Sequence, residues 1–320
     1  MNDLLVWVPV FIVSIAVLIL AARFFTQSAE VIGLSLGMSP FAVGVVIVSV
    51  GTSLPELISS VIAVSAGSSE IVAGNICGSS ISNLFFVLGL TTVFSKTSIQ
   101  LGDQYIFIDL HFLLGSVALL AIMMLDGVIT WAEGIIALGG YIVYTTYLLR
   151  EGSAEQDLLL DESIQQTKPN TRIQVKEVAI VAISGVFIFL GAKFTIDALE
   201  NIAAAANISK AVVSVTVLSL GTTLPEAVVS ATAARQGKGD IAVGNILGSC
   251  IFNAMAITGV ASLIGKVSVP TEILKLPLPI HAVGTLLFYL LTQDKKISRW
   301  EGFLFLLIYI LFIEKISGLV

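Results

Sequence analysis

The hexapeptide GTSLPE at residues 51–56 returns as GTTLPE at residues 221–226. Each copy is followed by a second shared stretch, GNICGSSISN at 74–83 and GNILGSCIFN at 244–253. Glu56 and Asn83 lie 27 residues apart, as do Glu226 and Asn253, and the offset between the copies is 170 throughout. At the same offset Arg23 corresponds to Lys193, Phe24 to Phe194, Glu30 to Glu200 and Glu70 to Asp240. One chain therefore carries two copies of one device. Each copy sets a carboxylate and an amide in the most apolar part of the sequence, the pattern of a binding site at the junction of two structural repeats.

The chain around these motifs has a membrane composition. Of its 320 residues 56% are hydrophobic and 12% charged, about half the charge of a soluble domain, and mean hydropathy is +1.00. Apolar runs of about 20 residues recur, each long enough to cross a hydrocarbon core of roughly 30 Å. They are continuous rather than alternating, which disfavours a barrel and leaves spanning helices. Ten spans are expected, near 4–25, 39–64, 70–94, 105–125, 130–149, 177–199, 210–234, 240–265, 276–292 and 301–317. The expected fold is an all-α integral membrane protein of ten transmembrane helices: one repeat of five in residues 1–149, a polar, acidic loop at 150–176, and a second repeat of five in 177–320. An odd number of spans per repeat makes the two repeats inverted relative to one another. With the N-terminus outside, eleven of the 16 Lys and Arg residues fall on the inner side and five on the outer, which favours both termini outside and the 150–176 loop in the cytoplasm. The N-terminal run lacks a basic leader and a small-residue cleavage site and reads as a retained first helix.

Proline has no N–H to donate and clashes with the carbonyl four residues back. Pro55 and Pro225 therefore predict that spans two and seven are kinked near mid-membrane, with Leu54 and Leu224 pushed off helical geometry. Backbone oxygens freed at such depth are tolerated only where they face protein, water or an ion. Next to each proline stands a glutamate, and a charged side chain at mid-bilayer costs roughly 2.5–3.5 kcal/mol even on the lenient insertion scale. Inverted repeats bring Glu56 and Glu226 together at the pseudo-two-fold axis, where two carboxylates repel unless cations or protons lie between them. Thr52, Ser53, Thr222 and Thr223 supply oxygens beside them, and the second motif adds Ser79, Asn83, Ser249 and Asn253. This all-oxygen set, with no histidine or thiol, suits a hard cation; Ca²⁺, with its six to eight flexible oxygen ligands, fits better than Zn²⁺. Two negative charges match one Ca²⁺ or two monovalent ions, so the expected behaviour is exchange of ions rather than leak.

At these residues the sequence resembles the calcium/cation antiporter superfamily, and its prokaryotic sodium/calcium exchanger branch in particular. GTSLPE and GTTLPE, with GNICGSSISN and GNILGSCIFN, are similar to that family's two alpha-repeats, and the similarity covers essentially the whole chain. The resemblance implies exchange of Ca²⁺ for Na⁺ by alternating access across a prokaryotic cell membrane, the first and sixth spans sliding over a more fixed core. It implies Glu56 and Glu226 as central cation ligands and Thr52 with Ser53, and Thr222 with Thr223, as oxygen donors to flanking Na⁺ sites. It further implies the backbone carbonyls of Ser49 and Ser219, and Ser79 and Ser249, as additional ligands. One departure stands out. Many relatives end the second motif in aspartate, whereas this chain has Asn253, matching Asn83, so the site holds two acidic groups rather than three.

An H⁺/Ca²⁺ exchanger is the nearest alternative. A passive cation channel is disfavoured, since channels build rings of like subunits. No Ser–His or Cys–His arrangement, HExxH or nucleotide loop supports an enzyme. No cofactor is expected, and the partners are the transported Ca²⁺ and Na⁺ (or H⁺) and the lipid bilayer, with no nucleic acid. Of the remaining polar residues, Asp109, His111 and His281 read as interfacial or packing groups, and Glu30, Asp197 and Glu200 as hydrated helix-end residues. Glu70 and Asp240 read as helix N-terminal charges. Gly74, Gly78, Gly244 and Gly248 read as close helix packing, Cys77 and Cys250 as small packing residues, and Trp7, Trp131 and Trp300 as interfacial anchors.

Overall fold

In a computed structural model of the chain, residues 2–101, 109–162, 174–205, 221 and 223–317 are described. Twelve helices occur among them: α1 (Asn2–Ser35), α2 (Pro40–Thr52), α3 (Leu54–Ser65), α4 (Glu70–Phe94), α5 (Leu110–Met124), α6 (Trp131–Glu162), α7 (Val175–Ala205), α8 (Leu224–Arg235), α9 (Gly239–Ile264), α10 (Thr271–Lys275), α11 (Pro277–Leu291) and α12 (Arg299–Ser317). Six spans are long and apolar enough to cross a membrane (α1, α4, α6, α7, α9, and α10 taken with α11), or seven if α2 and α3 count as one bent span. Helix is present at each of the ten expected stretches, but α5, α8 and α12 fall short of that standard on their own. The segments 102–108 and 206–220 that precede α5 and α8 lie outside the described residues, and α12 carries Arg299, Glu301, Glu314 and Lys315 near its ends. α6 continues to Glu162, so the first part of the polar 150–176 stretch is helical rather than loop.

Of the two expected kinks the one in span two is present, one residue earlier than proline sterics suggest, and the stretch of span seven before its proline lies mostly outside the described residues. α2 and α3 meet at 45°, and the residue that leaves helical geometry is Ser53, at φ −91° and ψ 7°. Leu54 and Pro55 open the first turn of α3, where a missing N–H costs nothing. Thr223 has nearly the same conformation, φ −93° and ψ 3°, before Leu224 and Pro225 open α8. Both short helices end at a left-handed glycine, Gly67 (φ 78°) and Gly237 (φ 81°), again 170 residues apart. A side chain there would be strained, which is why glycine ends each one.

Burial sorts the helices into layers. α9 is 89% buried and α4 72%, whereas α1 and α7 are each 28% buried along their apolar windows. α1 and α7 pack lengthwise on each other, with Gly191 against the backbone of Leu18 and Thr195 Oγ1 donating to Ser14 Oγ at 2.9 Å. Their outer faces carry exposed Ile12, Val13, Ile183 and Val186, a surface suited to lipid. At the centre α2 crosses α9 at glycines. A methyl on Gly44 would sit 3.0 Å from Gly244 Cα, and one on Gly248 would sit 2.7 Å from Val45 Cα. The close-packing reading is thus met at Gly244 and Gly248 by backbone-to-backbone contact but not at Gly74 or Gly78, where among the described residues an added methyl meets only the Ile273 side chain at 3.6 Å or nothing within 4 Å.

The all-α expectation needs one addition. β1 (Ile99–Gln100) pairs antiparallel with β4 (Lys296–Ile297), and β2 (Val128–Ile129) with β3 (Val267–Ser268). Each pair joins a loop of the first half to a loop of the second. Each also buries a β-branched residue from both sides: Ile99 with Ile297, and Ile129 with Val267. Two residues read as isolated polar groups prove to have partners. Tyr144 donates to Asp109 Oδ1 at 2.8 Å in a buried pair between α5 and α6, and Glu30 meets Lys238 at 2.5 Å. His281 is fully buried, in keeping with a packing role, while His111 is exposed with its ring edge-on to Tyr289. The Glu30–Lys238 pair is partly solvated, and Lys238→Met is expected to cost no more than about 1 kcal/mol, read as a small shift in thermal unfolding in detergent.

Candidate ion-binding site

Glu56 and Glu226 lie in the first turns of α3 and α8, where the positive end of the helix dipole favours a carboxylate. Each is 1% exposed, and Glu226 is close enough to act electrostatically on Glu56. The second motif runs through the most buried helices. In α4 and α9 the backbone widens into π turns at Ser82–Val87 and Phe252–Ile257, taking in Asn83 and Asn253. π turns are rare and concentrate at functional sites, because the extra residue re-aims a side chain and loosens the carbonyl ladder.

The two halves interlock here. Ser53 Oγ donates to Glu226 Oε1 at 2.9 Å and lies 3.0 Å from Ser249 Oγ. Asn253 Nδ2 donates to Ser79 Oγ at 2.9 Å, and Ser79 donates to the Asn75 carbonyl at 2.7 Å. Cys250 Sγ reaches the Ser80 carbonyl at 3.8 Å. Residues 80 and 250 are themselves related by the 170-residue offset, so equivalent positions of the two repeats meet here. The Ser49 hydroxyl turns back to the Val45 carbonyl. The Ser49 carbonyl accepts from Ser53 N at 2.9 Å and from Thr52 Oγ1 at 3.3 Å, which makes it the least available oxygen of the set in this conformation. Thr223 is fully buried beside Glu226 in sequence. Ser219 and Thr222 lie outside the described residues.

Among the described residues several buried oxygens in this cluster have no hydrogen-bond partner: both carboxylate oxygens of Glu56, Oε2 of Glu226, and Oδ1 of both Asn83 and Asn253. Buried polar atoms are normally paired. A group of orphaned acceptors, two of them carboxylates, is an arrangement that a cation would complete. Among the described residues no group of three or more His, Cys, Asp or Glu could hold a metal, so any bound cation here must draw on hydroxyl, amide and carbonyl oxygens besides the two carboxylates. Reading the sequence for ligands passed over Asn245 and Ser230, which join this network behind Thr52. The signal was available, since Asn75 and Asn245 occupy the same place in the repeated Gly-Asn pair.

Comparison with known proteins agrees with this architecture. A family model described as "sodium/calcium exchanger protein" matches residues 6–150 and 176–314, one match per half. An uncharacterised membrane protein of Methanocaldococcus jannaschii is 30% identical over 98% of this chain and 99% of its own length. The sodium/calcium exchanger MaX1 of Methanosarcina acetivorans is 28% identical over 95% and 96%. The solved structure of the sodium-calcium exchanger NCX_Mj, soaked with Na⁺ and Sr²⁺, superposes with a TM-score of 0.80 at 30% identity, covering 96% of this chain and 97% of that one. The chain is a multi-pass membrane transporter, not an enzyme, and it belongs to the sodium/calcium exchanger family.

Proposed function

We propose that the protein is a secondary antiporter that exchanges Ca²⁺ for Na⁺ at the buried two-glutamate site by alternating access. The observation that carries this reading is the pair Glu56 and Glu226, one from each half, each 1% exposed, with three of their four oxygens lacking a partner among the described residues. Left bare, two such carboxylates are costly to close off from water; with one Ca²⁺, or with two monovalent cations, their charge is cancelled. Movement of the site between the two faces is thereby tied to loading, which makes exchange favourable and leak unfavourable. Glu56 and Glu226 act as central ligands, with Thr52, Ser53, Ser79, Asn83, Thr223, Ser249 and Asn253 as neutral oxygen donors. By the repeat symmetry Thr222 and the carbonyls of Ser49 and Ser219 complete the set.

The ten-span inverted topology, with halves at 1–149 and 177–320 about the 150–176 connection, draws support from which loops touch. Ser95 is bonded by Arg299, β1 by β4, and Glu30 by Lys238. These contacts put the end of α1 and the loops after α4, α8 and α11 in pairs that share a face. Ser268 N bonds Ser69 Oγ and β2 pairs with β3, which pairs the loops after α3, α5 and α9. Ten alternating crossings put every one of these contacts on a single side of the bilayer. The eleven-to-five charge bias makes the first group cytoplasmic and both termini external, in a prokaryotic cell membrane.

The test is ⁴⁵Ca²⁺ uptake into proteoliposomes under separate Na⁺ and pH gradients. Uptake is expected when the lumen is loaded with Na⁺, and none without a counter-ion. Uptake driven by a pH gradient alone would convert the reading to H⁺/Ca²⁺ exchange, and flux without any counter-ion would convert it to a channel.

A further inference from the structure

One buried polar chain reaches the site without belonging to it. Asn245 on α9 is fully buried. Its Nδ2 donates to Ser230 Oγ on α8 at 2.8 Å, and its Oδ1 accepts from Thr52 Oγ1, at the end of α2, at 3.2 Å. Ser230 and Thr52 are themselves 0% and 2% exposed, so three elements from both halves are locked by two hydrogen bonds. Asn245 is not one of the proposed ion ligands, and helix packing alone gives it no reason to be polar.

A threonine hydroxyl has one hydrogen and two acceptor lone pairs. To ligate a cation it must keep a lone pair for the ion and send the hydrogen elsewhere. Thr52 lies within hydrogen-bonding reach of the Glu226 carboxylate, a strong competitor for that hydrogen. Were Thr52 to donate there, its hydrogen would lie within the carboxylate pocket and oppose a cation. Two acceptors lie away from the carboxylate, Asn245 Oδ1 at 3.2 Å and the Ser49 carbonyl at 3.3 Å; Ser230 takes up the amide N–H₂ so that Oδ1 is the end left for Thr52 and is the nearer of the two. We infer that Asn245 is a positioning residue that draws off the Thr52 hydrogen and so leaves its oxygen free for a monovalent cation beside Glu226. The inference rests on the antiporter reading and adds to it the group that sets Na⁺ affinity. Among the described residues Ser60, the counterpart of Ser230, has an unpartnered hydroxyl, and Thr222, the counterpart of Thr52, lies outside them.

The test uses the full-length protein in proteoliposomes and two transport modes. Na⁺-driven ⁴⁵Ca²⁺ uptake gives the half-saturating Na⁺ concentration, and Ca²⁺/Ca²⁺ exchange without Na⁺ reports the Ca²⁺ site alone. Asn245→Leu is expected to raise half-saturating Na⁺ by about three- to tenfold, the effect of one lost hydrogen bond, with Ca²⁺/Ca²⁺ exchange changed less than about twofold. Thr52→Val, which removes the ligand oxygen along with the bond to Asn245, should give an equal or larger Na⁺ shift, and the double variant no more than Thr52→Val alone, since Asn245 acts only through Thr52. Should Asn245→Leu fail to fold, the milder Ser230→Ala, alone and with Thr52→Val, replaces it, with a smaller shift of the same kind and the same non-additivity. Additive shifts, equal losses in both modes, or an unchanged Na⁺ half-saturation overturn the assignment. Wild-type protein that shows no Na⁺-driven uptake overturns the antiporter reading first, and this inference with it.

Discussion

Glu56→Gln and Glu226→Gln should each abolish Na⁺-driven ⁴⁵Ca²⁺ uptake while leaving a folded protein. Removing one partner from a buried charged cluster costs roughly 2–5 kcal/mol of binding, a loss of about thirtyfold to several thousandfold in Ca²⁺ affinity. Stability should move the other way. Glu56 is buried with no partner on either oxygen among the described residues, so replacing it with a neutral amide relieves a desolvation cost in the ion-free protein. Glu226 is partly compensated by Ser53 at 2.9 Å, so its replacement should relieve less. Thermal unfolding in detergent, with and without Ca²⁺, reads both effects. In wild type Ca²⁺ should raise Tm by mass action. In either variant that rise should vanish, and the ion-free Tm of Glu56→Gln should exceed that of Glu226→Gln. A Ca²⁺-dependent rise surviving in both variants would remove these carboxylates from the site.

The second large effect is steric. A methyl on Gly244 would sit 2.4 Å from the Phe41 carbonyl oxygen, and one on Gly248 would sit 2.7 Å from Val45 Cα and 2.8 Å from its carbonyl. These obstacles are backbone and cannot rotate away, so α2 and α9 would have to separate. Overpacking costs about 1–3 kcal/mol where a core can adjust, and here the crossing also carries Thr52 and Asn245. Gly244→Ala and Gly248→Ala are each expected to lower Tm by several degrees or to abolish monodisperse protein on size exclusion. Gly139→Ala is the control. Among the described residues nothing lies within 4 Å of its added methyl, and exchanging glycine for alanine inside α6 should be neutral or stabilising by up to about 1 kcal/mol. Equal behaviour of the three variants would refute the glycine-crossing account.

The sequence disclosed these features because they repeat. The 170-residue offset marked the two glutamates, the prolines and the Gly-Asn stretches, and composition alone called for membrane helices. What stayed hidden depends on contacts between distant residues. Asp109 and Tyr144 are 35 positions apart, and Glu30 and Lys238 belong to different halves, so neither pair leaves a local trace. The break fell at Ser53 instead of Leu54 because a proline in the first turn of a helix is unstrained; a steric rule identifies the segment that must bend but not the residue that gives way. The π turns at Ser82–Val87 and Phe252–Ile257 have no composition of their own. Asn245 was in plain view within the repeated motif, yet its role shows only once Thr52 is seen across from it.

The paired strands bear on how the chain is made. β1 and β2 leave the ribosome well before their complements, Ile297 following Ile99 by 198 residues and Val267 following Ile129 by 138. Until then Ile99 and Ile129 have nothing to pair with, and α4 has no α9 beside it. The nascent first half must therefore wait in the bilayer as an unfinished intermediate. Cutting synthesis short at the 150–176 connection should yield a fragment that inserts but cannot mature, and that rapid proteolysis would clear unless the missing segment is supplied as a separate polypeptide.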